Sequence, residues 1–179
     1  DGNHLTLSSA DVTALEVRRP DSTKIIRPVY GAQEFIKGLS RFCLWIDDDA
    51  LDLALSEPVV AQRVEAVRAT RLASRDTSLN KLAARSHQYR DRNVASEHLI
   101  LVPTVSSERR EYIPTDLKRA EAVTTNQAFA LYDAPLWNMA LIASRLHLVW
   151  IGTVCGKMKT DFRYSNTLGW NTFPVPLLT

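Results

Sequence analysis

Cysteine is scarce in this 179-residue sequence, and its two cysteines, Cys43 and Cys155, lie far apart. Zinc sites and thiol redox centres need closely spaced cysteines or histidines, so the spacing here excludes the common forms of both. A reduced, cytoplasmic setting is the simplest one for such a chain. A single disulfide between the two cysteines remains the alternative.

Long uninterrupted apolar runs are also lacking. The most apolar segment, residues 135–156, is interrupted by three polar residues: Ser144, Arg145 and His147. It therefore falls short of the roughly 20 apolar residues that a membrane span needs, and no membrane contact is predicted. The segment predicts a long buried helix near the C-terminus. Pro135 suits its first turn, Asp133 can accept from its free amides, and Gly156 suits its end.

Catalytic and metal-binding patterns are missing as well. The histidines are scattered and stand at no metal-ligand spacing with either cysteine: His4, His87, His98 and His147. We expect His147 to be a core histidine rather than a base, and the acidic run at residues 47–52 to form a turn and a helix start. Glycine-rich phosphate loops and the G-x-S-x-G elbow are absent from the sequence. No catalytic residue, metal site or cofactor site is therefore predicted in this chain.

The charge balance is close to even. The sequence has 22 basic and 20 acidic side chains, a formal net charge of +2, so bulk charge says little about an anionic partner. The length of 179 residues and a hydrophobic content of 45% suit one globular domain with a sizeable core. The placement of the charges has to carry any argument about partners.

Short apolar runs bounded by proline, aspartate and serine predict strands at residues 41–46, 98–105, 110–114 and 122–132. A helix over about residues 58–74 is predicted from a start at Ser56 and Pro58 and from an apolar stripe of Val60, Val64 and Val67. This order of elements predicts an α+β domain with a small mixed or antiparallel sheet.

Positive charge is concentrated between residues 63 and 92. The candidates for binding phosphate in this stretch are Arg68, Arg71, Arg75, Lys81, Arg85 and Arg90. On one continuous helix the first three of them would share a face that can follow a row of phosphates, and the alternative is an ordinary solvated face. The polar stretch that follows the helix, up to residue 93, predicts a long loop that becomes ordered on a partner.

Two further basic patches add five candidates for binding phosphate: Arg109, Arg110, Lys157, Lys159 and Arg163. The two arginines of the first patch could instead pair with Glu108 and Glu111 in a surface network. The lysines of the second patch could instead stabilise the end of the predicted helix through its dipole. The residues alone leave both interpretations open.

Four long stretches, found in the same order, carry a resemblance to a known family. They are IIRPVYGAQEFIKGLSRFCLWI (25–46), VPTVSSERREYIP (102–114), LIASRLHLVWIGTVCGKMKTDFRYSNT (141–167) and NTFPVP (171–176). Together with the opening DGNHL, they resemble the target-recognition domain of MmeI-like restriction and modification enzymes. The matches cover most of the chain and are far more specific than one short motif.

The resemblance implies a piece of a longer protein that reads sequence in double-stranded DNA and positions an adenine for N6 methylation. Residues 25–179 would form the target-recognition domain, and residues 1–24 the junction after a missing methyltransferase domain. That domain, in the same polypeptide, would bind S-adenosylmethionine, and many members also cleave DNA. The family's Asn-Pro-Pro-aromatic motif and its cofactor loop are absent from these 179 residues. This chain is therefore expected to bind no cofactor itself.

The closing stretch, residues 161–176, looks alike in family members that read different DNA sequences, which implies a structural role. Its aromatic side chains are expected to be partly buried: Phe162, Tyr164, Trp170 and Phe173. Base-reading residues are instead expected in residues 74–98 and in the loop around 115–127.

Two other function classes remain as alternatives. A protein-interaction or assembly module without direct DNA contact would bind through an exposed apolar patch and would resist salt. A self-contained nuclease would need clustered carboxylates, a lysine and a divalent metal.

Overall fold

The computed structural model describes residues 2–175. From the N-terminus the elements are α1 (Gly2–Leu5), β1 (Thr6–Leu7), α2 (Ser9–Arg18), a 3₁₀ helix (Pro20–Ile25), β2 (Ile26–Tyr30), α3 (Ala32–Lys37), β3 (Phe42–Leu44), a second 3₁₀ helix (Asp48–Ala50), α4 (Leu51–Leu55), α5 (Pro58–Leu72), α6 (Thr77–Lys81) and a third 3₁₀ helix (Leu82–Arg85). They continue with β4 (His98–Pro103), β5 (Val105–Ser106), β6 (Asp116–Arg119), β7 (Val123–Thr124), β8 (Ala128–Tyr132), α7 (Trp137–Ile142), α8 (Arg145–Val154), β9 (Lys157–Met158), β10 (Asp161–Arg163) and a π-helical turn (Asn166–Trp170).

The chain divides into two units. Unit 1 comprises Asp1–Val29 and Ser40–Asn93, and unit 2 comprises Tyr30–Leu39 and Val94–Thr179. Each unit combines short helices with small antiparallel sheets, which confirms the predicted α+β class. Among the described helices of both units, none has the length and apolar content that a membrane crossing requires.

Helix α5 supplies the main apolar stripe of unit 1. Val60, Val64 and Val67 recur at helical spacing and are buried, as the sequence predicts. They lie in one core with Leu5, Leu7, Val12, Leu15, Ile25, Leu44, Ile46 and Ala54. The segment before residue 25 thus contributes several side chains to this core.

The small sheet of unit 1 has β3 between β1 and β2. Cys43 on β3 lies opposite Thr6 on one side and Arg27 on the other, in antiparallel register. Burial raises the pKa of the Cys43 thiol to about 11, so this cysteine is a core side chain and not a nucleophile.

Strand β4 forms the centre of unit 2, in an antiparallel sheet between β6 and β8. Its side chains alternate between two buried clusters, because successive residues of a strand point to opposite faces. Leu99 and Leu101 belong to the cluster with Ala128, whereas Ile100 and Val102 belong to a larger cluster under α7 and α8. Burial on both faces explains why this strand reads as a continuous apolar run.

Three of the four predicted strand regions contain strands, and one does not. Those at residues 41–46 and 98–105 are confirmed, and the run at 122–132 forms two strands, β7 and β8, on either side of a turn. The strand predicted at 110–114 is wrong. Ile113 is buried there, but it is anchored from a loop, and the next strand begins at Asp116.

The single long helix predicted over residues 135–156 is also corrected. Two helices, α7 and α8, are separated at Ser144, whose extended backbone (φ −77°, ψ 151°) interrupts the helical hydrogen bonds. The Ser144 hydroxyl instead accepts from the amide of His147 and so caps α8. The outer face of this helix pair is exposed, with Leu146 at 68% of its full accessibility.

Asp133 also differs from its predicted role of capping that helix. Its carboxylate accepts hydrogen bonds from the backbone amides of Ser96, Glu97 and His98, at 2.7–3.1 Å. These amides hold the pKa of Asp133 at about 2. The side chain therefore joins the start of β4 to the end of β8.

Candidate nucleic-acid interface

A second sheet of unit 2 brings together two basic patches that are far apart in the sequence. Strand β10 pairs with β5 on one side and with β9 on the other, so that Arg163 lies opposite Val105. The turn that follows β5 carries Arg109 and Arg110. Lys157 on β9 contacts that turn through an ion pair with Glu108, at 3.8 Å. We call the five basic residues Arg109, Arg110, Lys157, Lys159 and Arg163 the cationic surface.

All five side chains of the cationic surface are exposed. Lys157 is engaged by Glu108 and by the ring of Phe162, whose centroid lies 5.5 Å from the Lys157 Nζ. Among residues 2–175 the side chains of the other four make no hydrogen bond or ion pair. Charges left in water in this way attract an anionic partner without first having to break an internal contact.

Lys159 occupies the tip of the β9–β10 hairpin. Its backbone is in the left-handed region (φ 58°), which is uncommon for a residue with a side chain and favours glycine. The side chain of Lys159 is exposed on this tight turn. Replacement by glycine would therefore remove the charge without straining the turn.

The closing stretch contains β10 itself, and its aromatic side chains pack into the core of unit 2. Tyr164 and Phe173 are buried, and Phe162 and Trp170 are half-buried against the same cluster, as the sequence predicts. Ser165 accepts from the amide of Leu168 and so starts the π-helical turn. Pro176, the last residue of the stretch, lies outside the described residues. These contacts assign a structural role to the stretch.

His147 is the histidine at the centre of this aromatic cluster. It is 0% exposed, its Nε2 lies 2.9 Å from the hydroxyl of Tyr164, and its ring packs edge-on against Phe173. Burial lowers the pKa of His147 to about 4. It is a neutral core histidine, as predicted from its position in an apolar segment.

The low pKa of His147 makes stability depend on pH. The unfolded chain, with the ordinary histidine pKa of about 6.5, binds a proton more tightly than the folded chain does, so the contribution of His147 is complete above that pH. It is lost as the pH falls from about 6.5 towards 4, and the full loss amounts to roughly 3 kcal/mol. Urea unfolding of wild type and His147→Gln at pH 7 and pH 5 measures this. We expect the wild type to lose more stability than His147→Gln when the pH is lowered from 7 to 5. Equal losses in the two proteins would contradict a buried, neutral His147.

Unit 1 holds the remaining candidates, and the structure separates those predicted to share one helix face. Helix α5 ends at Leu72, so Arg75 lies beyond it. Arg68 is exposed on the helix and forms an ion pair with Glu65, at 3.3 Å. Lys81 and Arg90 are exposed and Arg85 is half-buried. No continuous row of arginines forms along α5.

Arg71 is the candidate that the structure corrects. It is 1% exposed, and its guanidinium donates to three backbone carbonyls, those of Leu82, Arg85 and Gln88, at 2.7–2.9 Å. A side chain held in this way is not available to bind phosphate. The sequence contained a signal for this, because Val60, Val64, Val67 and Arg71 continue one stripe at helical spacing.

The stretch after α5 is not the unstructured loop that its composition predicts. It forms α6 and a 3₁₀ helix, and the carboxylate of Asp48 accepts from the side chains of His87 and Gln88, at 2.8 and 2.7 Å. The predicted turn at residues 47–52 is present and supplies this acceptor. No local sequence pattern indicates these contacts, because their partners are 39 and 40 positions apart.

The second region expected to read bases, around residues 115–127, contains both engaged and exposed groups. Lys118 pairs with Asp116 at 2.6 Å and lies 4.7 Å from the ring centroid of Tyr30. Asn126 and Gln127 are exposed in the turn between β7 and β8. Their role in reading bases stays a prediction.

The sequence and the fold are both similar to those of known proteins. The chain is 35% identical over 179 residues to DNA methyltransferase A of Bacillus subtilis (strain 168), an alignment that covers 100% of the chain and 20% of that protein. It also resembles a solved structure of the Type IIL restriction-modification enzyme MmeI in complex with DNA. That similarity has a TM-score of 0.90 at 26% identity and covers 98% of this chain and 24% of the enzyme.

The chain thus spans about a fifth of the curated relative and a quarter of the solved enzyme. The model of one family, described as MmeI, target recognition domain, matches residues 1–177. With nearly the whole chain matched, this protein belongs to the MmeI target-recognition-domain family.

Proposed function

We propose that this chain is the sequence-recognition domain of a site-specific DNA adenine-N6 methyltransferase and binds double-stranded DNA. The observation that carries the proposal is the cationic surface of unit 2, where four exposed cations are left without a partner among the described residues. The family to which the chain belongs, and the DNA in the MmeI structure, support DNA as the anion.

DNA recognition by this chain would use two kinds of contact, one to phosphates and one to base edges. Arginine and lysine of the cationic surface would hold phosphates and fix the register of the duplex, which carries no sequence information by itself. Amide side chains can read base edges in the major groove, and Asn126 and Gln127 are exposed on the turn between β7 and β8. Such contacts would position the adenine that a methyltransferase has to flip out of the duplex.

S-adenosylmethionine and the methyl-transfer step would belong to another domain of the same polypeptide. Among the described residues, one apolar pocket of about 200 Å³ lies beside Phe129, Tyr164 and Trp170, and none of the residues lining it is an aspartate or glutamate that could bind a ribose. Any cleavage of DNA by the parent protein would also belong to its other domains.

Selection from a random duplex pool tests the proposal. The chain is incubated with the pool at low salt, the retained DNA is sequenced, and binding is repeated as the salt concentration rises. We expect enrichment of one short adenine-containing sequence and an affinity that falls with salt, because each neutralised phosphate releases counterions. Absence of retention at low salt would contradict direct DNA binding by this chain.

A second candidate, a protein-interaction module, is favoured by the exposed outer face of α7 and α8. Four large apolar side chains are exposed there: Leu136, Trp137, Leu146 and Val149. Binding through such a face would persist at high salt, because it depends on apolar burial rather than on charge. Salt dependence therefore separates the two functions.

A further inference from the structure

The stretch of unit 1 from Leu82 to Arg92 has little regular structure, yet buried polar groups fix its backbone. The guanidinium of Arg71 lies at its centre and donates to the carbonyls of Leu82, Arg85 and Gln88. Because a guanidinium is planar and always charged, these three bonds require the three carbonyls to converge on one side chain. The backbone is thereby wrapped around the end of α5.

Further contacts hold both ends of this stretch. At its start, the side-chain amide of Asn80 donates to the carbonyls of Arg71 and Ser74, at 2.7 and 3.1 Å. At its end, Arg92 donates to the carbonyl of Ile46 at 3.0 Å and its guanidinium carbon lies 4.8 Å from the ring centroid of Trp45. These side-chain contacts fix the conformation of residues 82–92 without a bound partner.

Other cations of this region point outward instead. Arg75, Lys81 and Arg90 are exposed. Hydrogen bonds from Ser78 lower the pKa of Asp76, and the charge of Arg90 adds a smaller contribution. Arg85 is half-buried and donates to the carbonyl of Arg90 at 3.2 Å. Inward-facing polar groups thus build the scaffold, and outward-facing cations are left for a ligand.

We propose that Arg75, Lys81 and Arg90 form a second phosphate-binding surface for duplex DNA, held ready by Arg71 as a positioning residue. This inference rests on the proposed function. Its residues belong to unit 1, whereas those of the cationic surface belong to unit 2. Since its backbone is already fixed in the free chain, contact with DNA would not have to order a loop, which lowers the entropic cost of binding.

The first test is the double variant Lys81→Gln/Arg90→Gln. Loss of two phosphate contacts should reduce the magnitude of the negative slope of log K against log[salt] by about 1.8. It should also weaken binding roughly tenfold at moderate salt, equally for all DNA sequences. The matched control, Arg18→Gln/Lys24→Gln, removes two exposed charges of the same unit outside this region. We expect the control to keep the wild-type slope.

The second test addresses the positioning role with Arg71→Lys, which keeps the charge but cannot reach three carbonyls with one amine. Amide hydrogen exchange of residues 82–92 should be slow in the free wild type and faster in this variant. The magnitude of its salt slope should decrease as in the double variant, and adding Lys81→Gln/Arg90→Gln to it should reduce that magnitude little further.

The outcomes separate this inference from the function on which it rests. If the wild type fails to bind DNA at low salt, the proposed function itself is wrong. If the wild type binds DNA and Lys81→Gln/Arg90→Gln keeps its salt slope, only the second surface is refuted. Rapid exchange of residues 82–92 in the free wild type, followed by protection on DNA, would overturn the claim that the surface is preformed.

Discussion

Arg71→Met is expected to destabilise unit 1 by about 4 kcal/mol, because three backbone carbonyls lose a charged donor in a place that water does not reach. Methionine retains much of the side-chain volume, so the loss reports hydrogen bonding rather than a cavity. The carbonyls of Leu82, Arg85 and Gln88 would be left near the core without a donor of comparable strength. Urea unfolding, with amide exchange of α5 as the probe of unit 1, measures the change.

Arg68→Met is the matched control for this measurement. Arg68 lies one turn earlier on α5 and is exposed, and its ion pair with Glu65 is of the solvent-screened kind that contributes about 0.3–0.5 kcal/mol. We therefore expect the control to stay within about 0.5 kcal/mol of the wild type. An Arg71→Met chain as stable as the Arg68→Met chain would contradict the anchoring role of Arg71.

Arg68 and Arg71 also show how far sequence reasoning can reach. Periodicity predicted α5 and its buried valines, because the pattern of a helix is local. The same periodicity places Arg71 on the valine stripe, but an arginine is charged and was therefore predicted to lie on the surface. A buried arginine is tolerated here since the backbone of residues 82–88 supplies its acceptors. Only the folded backbone reveals that compensation.

The elements that the sequence did not predict depend on contacts between distant residues or on one local interruption. The cationic surface results from the pairing of β5 with β10, more than 50 residues later, which no local pattern encodes. The break between α7 and α8 depends on Ser144, a residue that is compatible with a helix but also caps one well. Ile113 is buried without belonging to a strand, so its apolar character predicted the core correctly and the element wrongly.

The cationic surface is predicted to contribute most of the electrostatic part of DNA binding by unit 2. In the variant Arg109→Gln/Arg110→Gln/Lys159→Gly/Arg163→Gln, four exposed charges are removed, and glycine suits the left-handed backbone at position 159. If each contacts one phosphate, the negative slope of log K against log[salt] decreases in magnitude by about 3.6, and affinity at 50 mM salt falls by about a hundredfold or more. Binding to duplexes of several sequences over a range of salt measures both quantities.

A second quadruple variant separates location from overall charge. Arg18, Lys24, Lys37 and Arg145 are exposed and lie outside both proposed surfaces, and their replacement by glutamine removes the same number of positive charges. Long-range attraction by net charge would weaken binding equally in the two variants. Direct phosphate contact instead predicts that only the first variant loses its salt slope. Equal slopes in the two variants would mean that the net charge of the chain attracts DNA. They would contradict a phosphate-binding surface on this sheet.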